Sequence, residues 1–344
     1  MKVDFVKSDD SKWIPWIYNR SEATIFHHPL WSGLLSGCYG YVGSILTLID
    51  NGGNVLAGLP LMQVNSPITG QRTIALPFSD HCQPLAIEDK WLKELLLELN
   101  VWRKQNAISE FIIHWPISVA EDVYPLETFA LHTTCLAPDQ ELISKSFQSK
   151  VRRFVRQAEK ANVFIRNANS WEDMQIFYRL HLKTRQRQGT PIQPLRFFRL
   201  LWEQVISQGL GFVLLAYKEE QPIAAAVFLH FNRTLTYKYG ASDPTFWKLR
   251  PNHAIFWHAI QWGCEHGYEI FDWGKTDMDN QGLRDFKLGW GSQEQILHYS
   301  VLADRAPVTK LSSGSNQRLM ASVIQNSPAW VCRMIGELLY GHFA

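Results

Sequence analysis

The second half of the chain alternates apolar and amphipathic segments in the order typical of an α/β domain. Apolar and polar residues alternate over 161–168, which predicts a strand, and Ser170 precedes acidic residues that suit a helix N-terminus. A second helix is predicted from Pro194 to Gly209, and the apolar segments around residues 219–222 predict a hairpin. The predicted order is β-α-α-β-β-β-α-β-(α)-β.

The first half follows the same order more loosely. It begins with a strand and two helical segments, and it continues with a hairpin whose tip is Asn51-Gly52-Gly53. A strand, a helix and a strand complete it. We therefore predict an α/β protein made of two tandem copies of one unit, residues 1–144 and 145–305.

Residues 316–344 predict an amphipathic helical tail that Pro328 divides into two short helices. The apolar stripe of the second helix consists of Val331, Met334, Ile335, Leu338, Leu339 and Phe343. Such a stripe packs either on the chain's own second domain or, reversibly, on the inner face of the membrane.

The segment 237–291 contains a candidate site. A strand that ends in Gly240-Ala241-Ser242 is followed by a helix that begins near Pro251 and by a short buried strand. Strand, helix and strand in this order bring the end of the first strand and the start of the helix to one sheet edge, where α/β folds bind ligands. A glycine-flanked turn containing Lys287 follows.

Composition narrows the class of protein. The 344 residues are 46% hydrophobic and 19% charged, which indicates a folded protein of two domains. The net charge of +2 argues against a DNA partner. The five cysteines show no paired spacing and the N-terminus is charged, which together indicate a cytoplasmic protein. Because no metal motif or nucleophile motif is present, we expect no metal, no tightly bound cofactor and direct transfer between two substrates.

One predicted helix between the halves carries its cations on a single face. Lys150, Arg152, Arg153 and Arg156 lie opposite its apolar positions, and Glu159 is its only acid. Like charges at this spacing repel each other. The face is therefore either an ordinary solvated surface or a contact for a polyanion such as phosphate, pyrophosphate or an RNA backbone.

Three segments together carry a family resemblance: KVRRFVRQAEKANV at 150–163, FYRLHLKTRQRQGTPIQPLRFF at 177–198, and the whole of 237–291. They resemble the Fem-type aminoacyltransferases of the N-acetyltransferase-fold (GNAT) superfamily and their exopolysaccharide relatives. The resemblance implies two tandem GNAT-like domains that move an acyl or aminoacyl group onto an amino group of a peptidoglycan or exopolysaccharide precursor. The acceptor would be nucleotide- or lipid-linked, and the co-substrate would be aminoacyl-tRNA or acyl-CoA.

The resemblance also leaves two alternatives, an ordinary acyl-CoA N-acetyltransferase and a non-catalytic binding protein of an envelope biosynthesis locus. In coenzyme A-using members, a glycine-rich loop offers backbone N–H groups to the pyrophosphate at a helix N-terminus. Here the corresponding segment, SDPTFWKLRPNHA, has no glycine, and Pro251 lacks an N–H group.

Roles for individual residues follow from the resemblance. It implies that Lys287 stabilises the charge that develops on the reacting carbonyl and that Arg187 binds precursor phosphates, with Arg185 as the competing candidate. It also implies substrate contacts for Asp80 and His81. We expect a cytoplasmic protein, and the two interpretations of the tail leave peripheral contact at the inner membrane face open.

The remaining candidates are open to two interpretations. Tyr237 and Tyr239, two apart on a strand, are expected on the same side, either in the core or with a hydroxyl near the reacting centre. Asp272 is a buried hydrogen-bond hub or a base for the acceptor amine. Asn252 is the predicted N-cap of its helix. We assign Lys287, Tyr239 and Asp272 to catalysis, and we assign to substrate binding Arg187, Tyr237, Ser242, Asn252, Phe286, Asp80 and His81.

Overall fold

The computed structural model of the protein describes residues 2–117, 122–307 and 314–342, with the backbone alone for 314–318. Phe343 of the predicted tail therefore lies outside the described residues. The chain forms two compact units. Unit 1 contains Met1–Ala130, Ile296–Thr309 and His342–Ala344, and unit 2 contains Leu131–Gln295 and Lys310–Gly341.

The described strands follow the predicted order closely. In chain order they are β1 (Lys2–Lys7), β2 (Val42–Ile49), β3 (Val55–Ser66), β4 (Gly70–Ala75), β5 (Leu85–Ala86), β6 (Glu110–Ile113), β7 (Val123–Cys135), β8 (Val163–Asn167), β9 (Gly211–Lys218), β10 (Gln221–Phe231), β11 (Thr234–Ser242), β12 (Ile270–Asp277) and β13 (Gln293–Ala303).

The described α-helices are α1 (Trp13–Tyr18), α2 (Pro29–Tyr39), α3 (Asp89–Gln105), α4 (Gln140–Ser146), α5 (Ser149–Lys160), α6 (Trp171–Gln188), α7 (Leu195–Leu201), α8 (Pro251–Glu265), α9 (Gln281–Leu288), α10 (Gly314–Asn326) and α11 (Ala329–Leu339). Shorter 3₁₀ helices cover Ile25–His27, Pro244–Leu249 and Tyr340–His342, and a π-helix, Trp202–Leu210, continues α7.

Unit 1 is built on the strand order β1-β2-β3-β4-β6-β13. The predicted hairpin joins β2 and β3, with Ile45 opposite Pro60 in the antiparallel register. β4 and β6 are parallel, with Ile74 opposite Ile112. The strand β3 is buried along most of its length, so its apolar run forms the centre of this unit's core.

Unit 2 is built on the strand order β12-β11-β10-β9-β8. The predicted hairpin joins β9 and β10, and Glu219 at its turn adopts a left-handed conformation with φ of 54°. Apolar residues of these strands pack against α5 and α8. The core of this unit includes Leu214, Phe228, Ile255, Phe256, Phe271, Trp273 and Trp290.

The unit boundaries differ from the predicted ones. β7 begins in unit 1 and ends in unit 2, and β13 runs from unit 2 into unit 1. The first segment of unit 1 therefore ends at residue 130, whereas the predicted first domain ends at 144, and α4 belongs to unit 2. The main part of unit 2 ends at residue 295, not at 305. Two long strands shared by the units set these limits, which local sequence patterns do not reveal.

The C-terminal helices pack on unit 2. Both α10 and α11 contact α6, with Ala321 against Gly189 and Gly336 against the backbone of Ile192. The predicted stripe is divided, because Met334 and Leu338 are exposed. None of the described helices is long and apolar enough to cross a lipid bilayer.

We expect Gly336→Ala to destabilise the protein by about 1–3 kcal/mol, because the added methyl group overlaps the carbonyl oxygen of Ile192. Gly33→Ala, inside α2, is the matched control, since nothing lies within 4 Å of the added methyl group. Helix propensity makes that change neutral or stabilising by up to about 1 kcal/mol. Thermal unfolding measures both, and equal melting temperatures would contradict close packing of α11.

Candidate functional site

A pocket of about 250 Å³ opens in unit 2 where β11 and β12 end their pairing. These parallel strands pair over three residues, Thr234–Thr236 opposite Ile270–Asp272. Past this point both strands contribute walls to the pocket, and α6, α8 and α9 complete it. Its lining includes Thr184, Arg187, Tyr237, Gly240, Ser242, Trp247, Asn252, Phe256, Trp273, Phe286 and Lys287.

Ser242 organises the polar side of this pocket. The indole Nε1 of Trp247 donates to its Oγ at 2.9 Å, and Asn252 Nδ2 lies 3.5 Å from the same oxygen. The backbone N–H of Ser242 donates to Thr184 Oγ1 at 3.2 Å, and its carbonyl oxygen accepts from Arg187 Nη1 at 3.4 Å. The end of β11, the segment that follows it and the sequence-distant helix α6 are thus held together.

Arg187 presents its guanidinium to the pocket over an aromatic ring. Its Cζ lies 4.8 Å from the ring centroid of Trp247, a cation–π distance. Arg185, the competing candidate, does not line the pocket, and its Nε donates to the carbonyl oxygen of Pro191 at 3.0 Å. The geometry therefore favours Arg187 as the arginine that meets a ligand here.

Lys287 lies in the last turn of α9, whereas the sequence predicted a glycine-flanked turn. Its side chain is 2% exposed, and its Nζ donates to the carbonyl oxygens of Gly274 at 2.7 Å and Lys275 at 3.2 Å. A buried ammonium group needs such partners, because desolvation would otherwise make its charge very costly. The pocket wall thus contains a positive charge that is almost completely buried and is held in place by two hydrogen bonds.

Asp272, on β12, holds the backbone of Gly274, whose carbonyl oxygen accepts from Lys287. Its carboxylate is 1% exposed, and Oδ1 accepts from the backbone N–H of Gly274 at 2.8 Å. Gly274 has a φ of 68°, a conformation that glycine adopts without strain. Asp272 does not line the pocket, so the structure favours its interpretation as a hydrogen-bond hub over that of a base.

Three residues that the sequence did not indicate form a charged group near Lys287. His132 Nε2 lies 2.9 Å from Glu294 Oε2, and Arg284 binds both Glu294 oxygens, at 2.9 and 2.7 Å. Hydrogen bonding from Arg284 lowers the pKa of Glu294. Burial, followed by the positive charge of Lys287, lowers the pKa of His132. Among the described residues, no cluster of His, Cys, Asp and Glu could hold a metal ion.

Tyr237 and Tyr239 do not face the same side, contrary to the sequence prediction. In the β10–β11 register Val227 pairs with Tyr239 and Phe228 pairs with Tyr237, so Lys238 is an extra residue in a β-bulge. The Tyr237 ring lies 4.8 Å from Phe256 of α8 and lines the pocket.

Tyr239 instead packs against the other helices of this unit. Its ring centroid lies 5.7 Å from Phe198 of α7 and 5.8 Å from His181 of α6. It is not among the residues that line the pocket. Its assignment to catalysis therefore gains no support from the geometry, and the core interpretation fits.

The start of α8 also differs from the prediction. Arg250, with a left-handed φ of 60°, occupies the N-cap position, and Pro251 is the first helical residue. Asn252 therefore lies inside the helix and directs its amide to Ser242. The segment before it forms the 3₁₀ helix Pro244–Leu249, with Asp243 as its N-cap.

Asp80 and His81 lie in unit 1 and are not among the pocket residues. The hydroxyl of Tyr299 donates to the carbonyl oxygen of Asp80 at 2.7 Å. The buried ring of His81 lies 5.9 Å from Phe26 and 5.9 Å from Trp115. These contacts give both residues structural surroundings within unit 1, and their predicted role in substrate binding stays a prediction.

A second pocket of about 600 Å³ lies beside the first and shares Phe286 with it. Lys150 and Phe154 of α5 line it together with Arg250 and His253. The Arg250 guanidinium lies 3.8 Å from the ring centroid of Phe154. Cations beside a half-buried aromatic ring suit a phosphate-bearing ligand.

The four cations predicted on one helix face have different surroundings. Arg152 donates through Nη1 to the carbonyl oxygens of Ser144, Lys145 and Phe147, where α4 ends, so it stabilises that helix end. Arg156 lies with Arg152 beside a third pocket. Arg153 is exposed, and of these four residues only Lys150 lines the second pocket.

His253 lies in an aromatic environment at the second pocket. The rings around it are those of Phe154, Phe286 and Trp290. Burial, followed by the positive charges of Arg250 and Lys150, lowers its pKa to about 4. Its imidazole is therefore neutral at neutral pH.

Three comparisons show which known proteins this chain resembles. Residues 145–288 match the family model of the acetyltransferase (GNAT) domain. This part of unit 2 is therefore similar to a GNAT domain. The chain is 27% identical over 113 residues to the lipid II:glycine glycyltransferase of Staphylococcus saprophyticus, a match that covers 30% of this chain and 27% of that relative. It thus spans under a third of the length of the curated relatives that it matches.

Two solved structures resemble the whole chain in fold. The crystal structure of FemX has a TM-score of 0.67 at 13% identity and covers 92% of this chain and 100% of its own. A tandem GNAT protein from the clavulanic acid biosynthesis pathway has a TM-score of 0.50 at 9% identity, covering 89% and 100%. The predicted fold class, tandem GNAT-like domains with a helical C-terminal tail, and the Fem-type resemblance are confirmed.

We expect the loss of folding stability at acid pH to depend on His253 of unit 2. The unfolded chain binds a proton at this residue near pH 6.5, whereas the folded protein binds it only near pH 4. Stability is therefore lost as the pH falls from 6.5 towards 4, by about 1.4 kcal/mol per unit of pKa difference at most. His253→Phe should show a smaller fall in melting temperature between pH 7 and pH 4.5.

His266, which is exposed, supplies the matched control, because His266→Phe makes the same substitution at the protein surface. If wild type, His253→Phe and His266→Phe all lose the same number of degrees over this pH range, the burial of a neutral imidazole at residue 253 is wrong.

Proposed function

We propose that this chain is an acyltransferase that moves an acyl or aminoacyl group onto an amino group of a cell-envelope precursor. The observation that carries the proposal is the buried Lys287 ammonium in the wall of the pocket between β11 and β12 of a GNAT domain. The similarity to lipid II:glycine glycyltransferases supports a peptidoglycan precursor as the acceptor. An exopolysaccharide precursor bearing an amino sugar is the alternative acceptor.

The proposed reaction is direct aminolysis of an activated acyl group. The neutral amine of the acceptor attacks the acyl carbon, a C–N bond forms, and the ester or thioester bond to the carrier breaks. The proton that the amine loses ends on the oxygen or sulfur atom with which the carrier leaves. Negative charge develops on the carbonyl oxygen during attack, and a positive charge already fixed by two backbone carbonyls needs no reorganisation to stabilise it.

The polar wall and the aromatic wall of the pocket have different roles in the proposed reaction. Arg187, held over Trp247, binds an anionic group of the acceptor, since a guanidinium pairs with phosphate or carboxylate oxygens in a fixed plane. The rings of Tyr237, Phe256 and Phe286 exclude water, which strengthens the field of Lys287 at the reacting carbonyl.

The donor in this proposal is carried on a phosphate-bearing group, either aminoacyl-tRNA or acyl-CoA. The second pocket binds the phosphates of the carrier, and Phe286, common to both pockets, marks the passage of the acyl group into the first. Lys150 and Arg250 supply the cations for this contact. The absence of glycine from the segment before α8 favours a carrier bound by side chains more than by a backbone cradle.

The proposed place of action follows from the acceptor. A lipid-linked precursor with its amino group on the cytoplasmic side is reached by a cytoplasmic enzyme that works at the inner membrane face. A nucleotide-linked precursor would be met in solution.

We expect Lys287→Met to lower kcat by about 10²-fold or more while KM for the acceptor changes little, because the charge acts mainly in the transition state. Methionine keeps the volume of the lysine stem, and circular dichroism checks that the variant is folded. Lys93→Met, on the exposed face of α3, is the control and should leave kcat unchanged. Turnover by Lys287→Met at the wild-type rate would exclude this role.

We expect the double variant Lys150→Gln with Arg250→Gln to weaken donor binding and to flatten its salt dependence. For a single-stranded tRNA end, the log–log salt slope should become shallower by about 1.4, since each phosphate contact contributes about 0.7. The control, Lys93→Gln with Lys160→Gln, removes the same charge from exposed positions.

Binding assays with aminoacyl-tRNA and with acyl-CoA in parallel decide between the two donors. If neither donor supports turnover of any acceptor tested, the chain is a binding protein and the proposed function is wrong. An unchanged salt slope in the double variant would remove the second pocket from donor binding.

A further inference from the structure

The helix α11 uses two opposite faces in different ways. One face packs on unit 2, with Cys332 and Gly336 buried. The other carries large apolar side chains at a spacing of four residues, which places them in one line along the helix. These are Trp330, Met334 and Leu338, with exposures of 64%, 52% and 67%.

The helix α10 also carries exposed apolar side chains. Leu319 and Val323, again four residues apart, are 67% and 45% exposed. We call these five residues, three on α11 and two on α10, the apolar ridge. The packing of the tail on α6 does not need the ridge, because the opposite face already provides that contact. Exposed large apolar groups concentrated in one element mark an interaction surface more often than scattered ones do.

The elements on which the tail packs carry a net positive charge, although the whole chain has a net charge of only +2 and α6 begins with Glu172 and Asp173. Residues 174–202, which cover most of α6 and all of α7, contain no carboxylate. Together with residues 319–342 they hold Arg179, Lys183, Arg185, Arg187, Arg196, Arg199 and Arg333 against the single acid Glu337. That one carboxylate already accepts from the backbone N–H of Leu195 at 3.0 Å.

We propose that the apolar ridge inserts into the headgroup region of an anionic lipid bilayer. A tryptophan and long aliphatic side chains on one helix face, with Arg333 on the same helix, have the composition of a helix that lies in the membrane interface. The net positive charge of the elements beneath the tail favours an anionic bilayer surface, and the ridge adds buried apolar area. Binding of a protein partner or of a second copy of the chain would depend on buried area and shape complementarity alone.

The ridge is joined to the pocket through α6. The Gln325 side chain of α10 donates to the carbonyl oxygen of Arg187 at 3.2 Å, and the Arg187 side chain lines the pocket. Gln186 donates to the carbonyl oxygen of Ser327, at the start of the α10–α11 connection. A tail held at the bilayer therefore holds the Arg187 end of α6 near the headgroups. This part of the inference rests on the proposed function with a lipid-linked acceptor.

The test is flotation of the full chain with vesicles of phosphatidylcholine, with and without phosphatidylglycerol, in the absence of any substrate. We expect flotation with phosphatidylglycerol vesicles only, and loss of it at high salt. The triple variant Trp330→Ser, Met334→Gln and Leu338→Gln should bind about tenfold more weakly or worse, because it removes the buried apolar area. The matched control changes three apolar residues that are as exposed elsewhere, Ile68→Gln, Leu97→Gln and Leu142→Gln.

The ridge variant should melt at the wild-type temperature, because its three side chains are solvated in the folded protein. Wild type that fails to float, or a ridge variant that floats as well as wild type, would overturn the proposal. A wild-type dimer in solution that the ridge variant converts to a monomer would assign the ridge to a second copy and equally overturn it. Since no substrate is present, failure here leaves the proposed acyl transfer to be judged by its own turnover assays.

Discussion

A buried positive charge is the constraint on which the site of this protein depends. The Lys287 ammonium is almost completely removed from solvent, and a charge in that position is tolerated only when the backbone around it supplies oxygens. Gly274 and Lys275 supply them because β12 bends there, and the bend exists because residue 274 is a glycine with a left-handed φ. Asp272 in turn holds the N–H of Gly274. The buried charge and the strand geometry are therefore one arrangement.

Two departures from regular sheet structure create the space that this charge faces. The parallel pairing of β11 with β12 covers three residues, and the walls past it are left to side chains. The bulge at Lys238 then shifts the alternation of β11 by one residue, so that Tyr237 enters the pocket and Tyr239 joins the aromatic packing of α6 and α7. Without that extra residue both rings would compete for one face.

Positive charge is distributed unevenly in a chain that is almost neutral overall. Some cations are committed to the fold, such as Arg152 at the end of α4 and Arg284 on Glu294. Others face pockets, such as Arg187, or crowd the surface around the C-terminal helices. Only the contacts of each side chain separate these classes, because arginine has the same charge in all of them.

The sequence alone determined the order of strands and helices, both hairpins, the helical tail and the region of the site. Periodicity and turn residues are local, so these features need no tertiary information. The family resemblance also indicated Arg187 and Lys287, and the position of Ser242 at the end of a predicted strand indicated that residue. Tertiary structure decided that Lys287 ends a helix, that Asn252 is not an N-cap, and that β7 and β13 carry the unit boundaries. The group of His132, Arg284 and Glu294 was equally hidden, because His132 lies far in sequence from the other two residues and meets them only when long-range pairing of the strands brings them together.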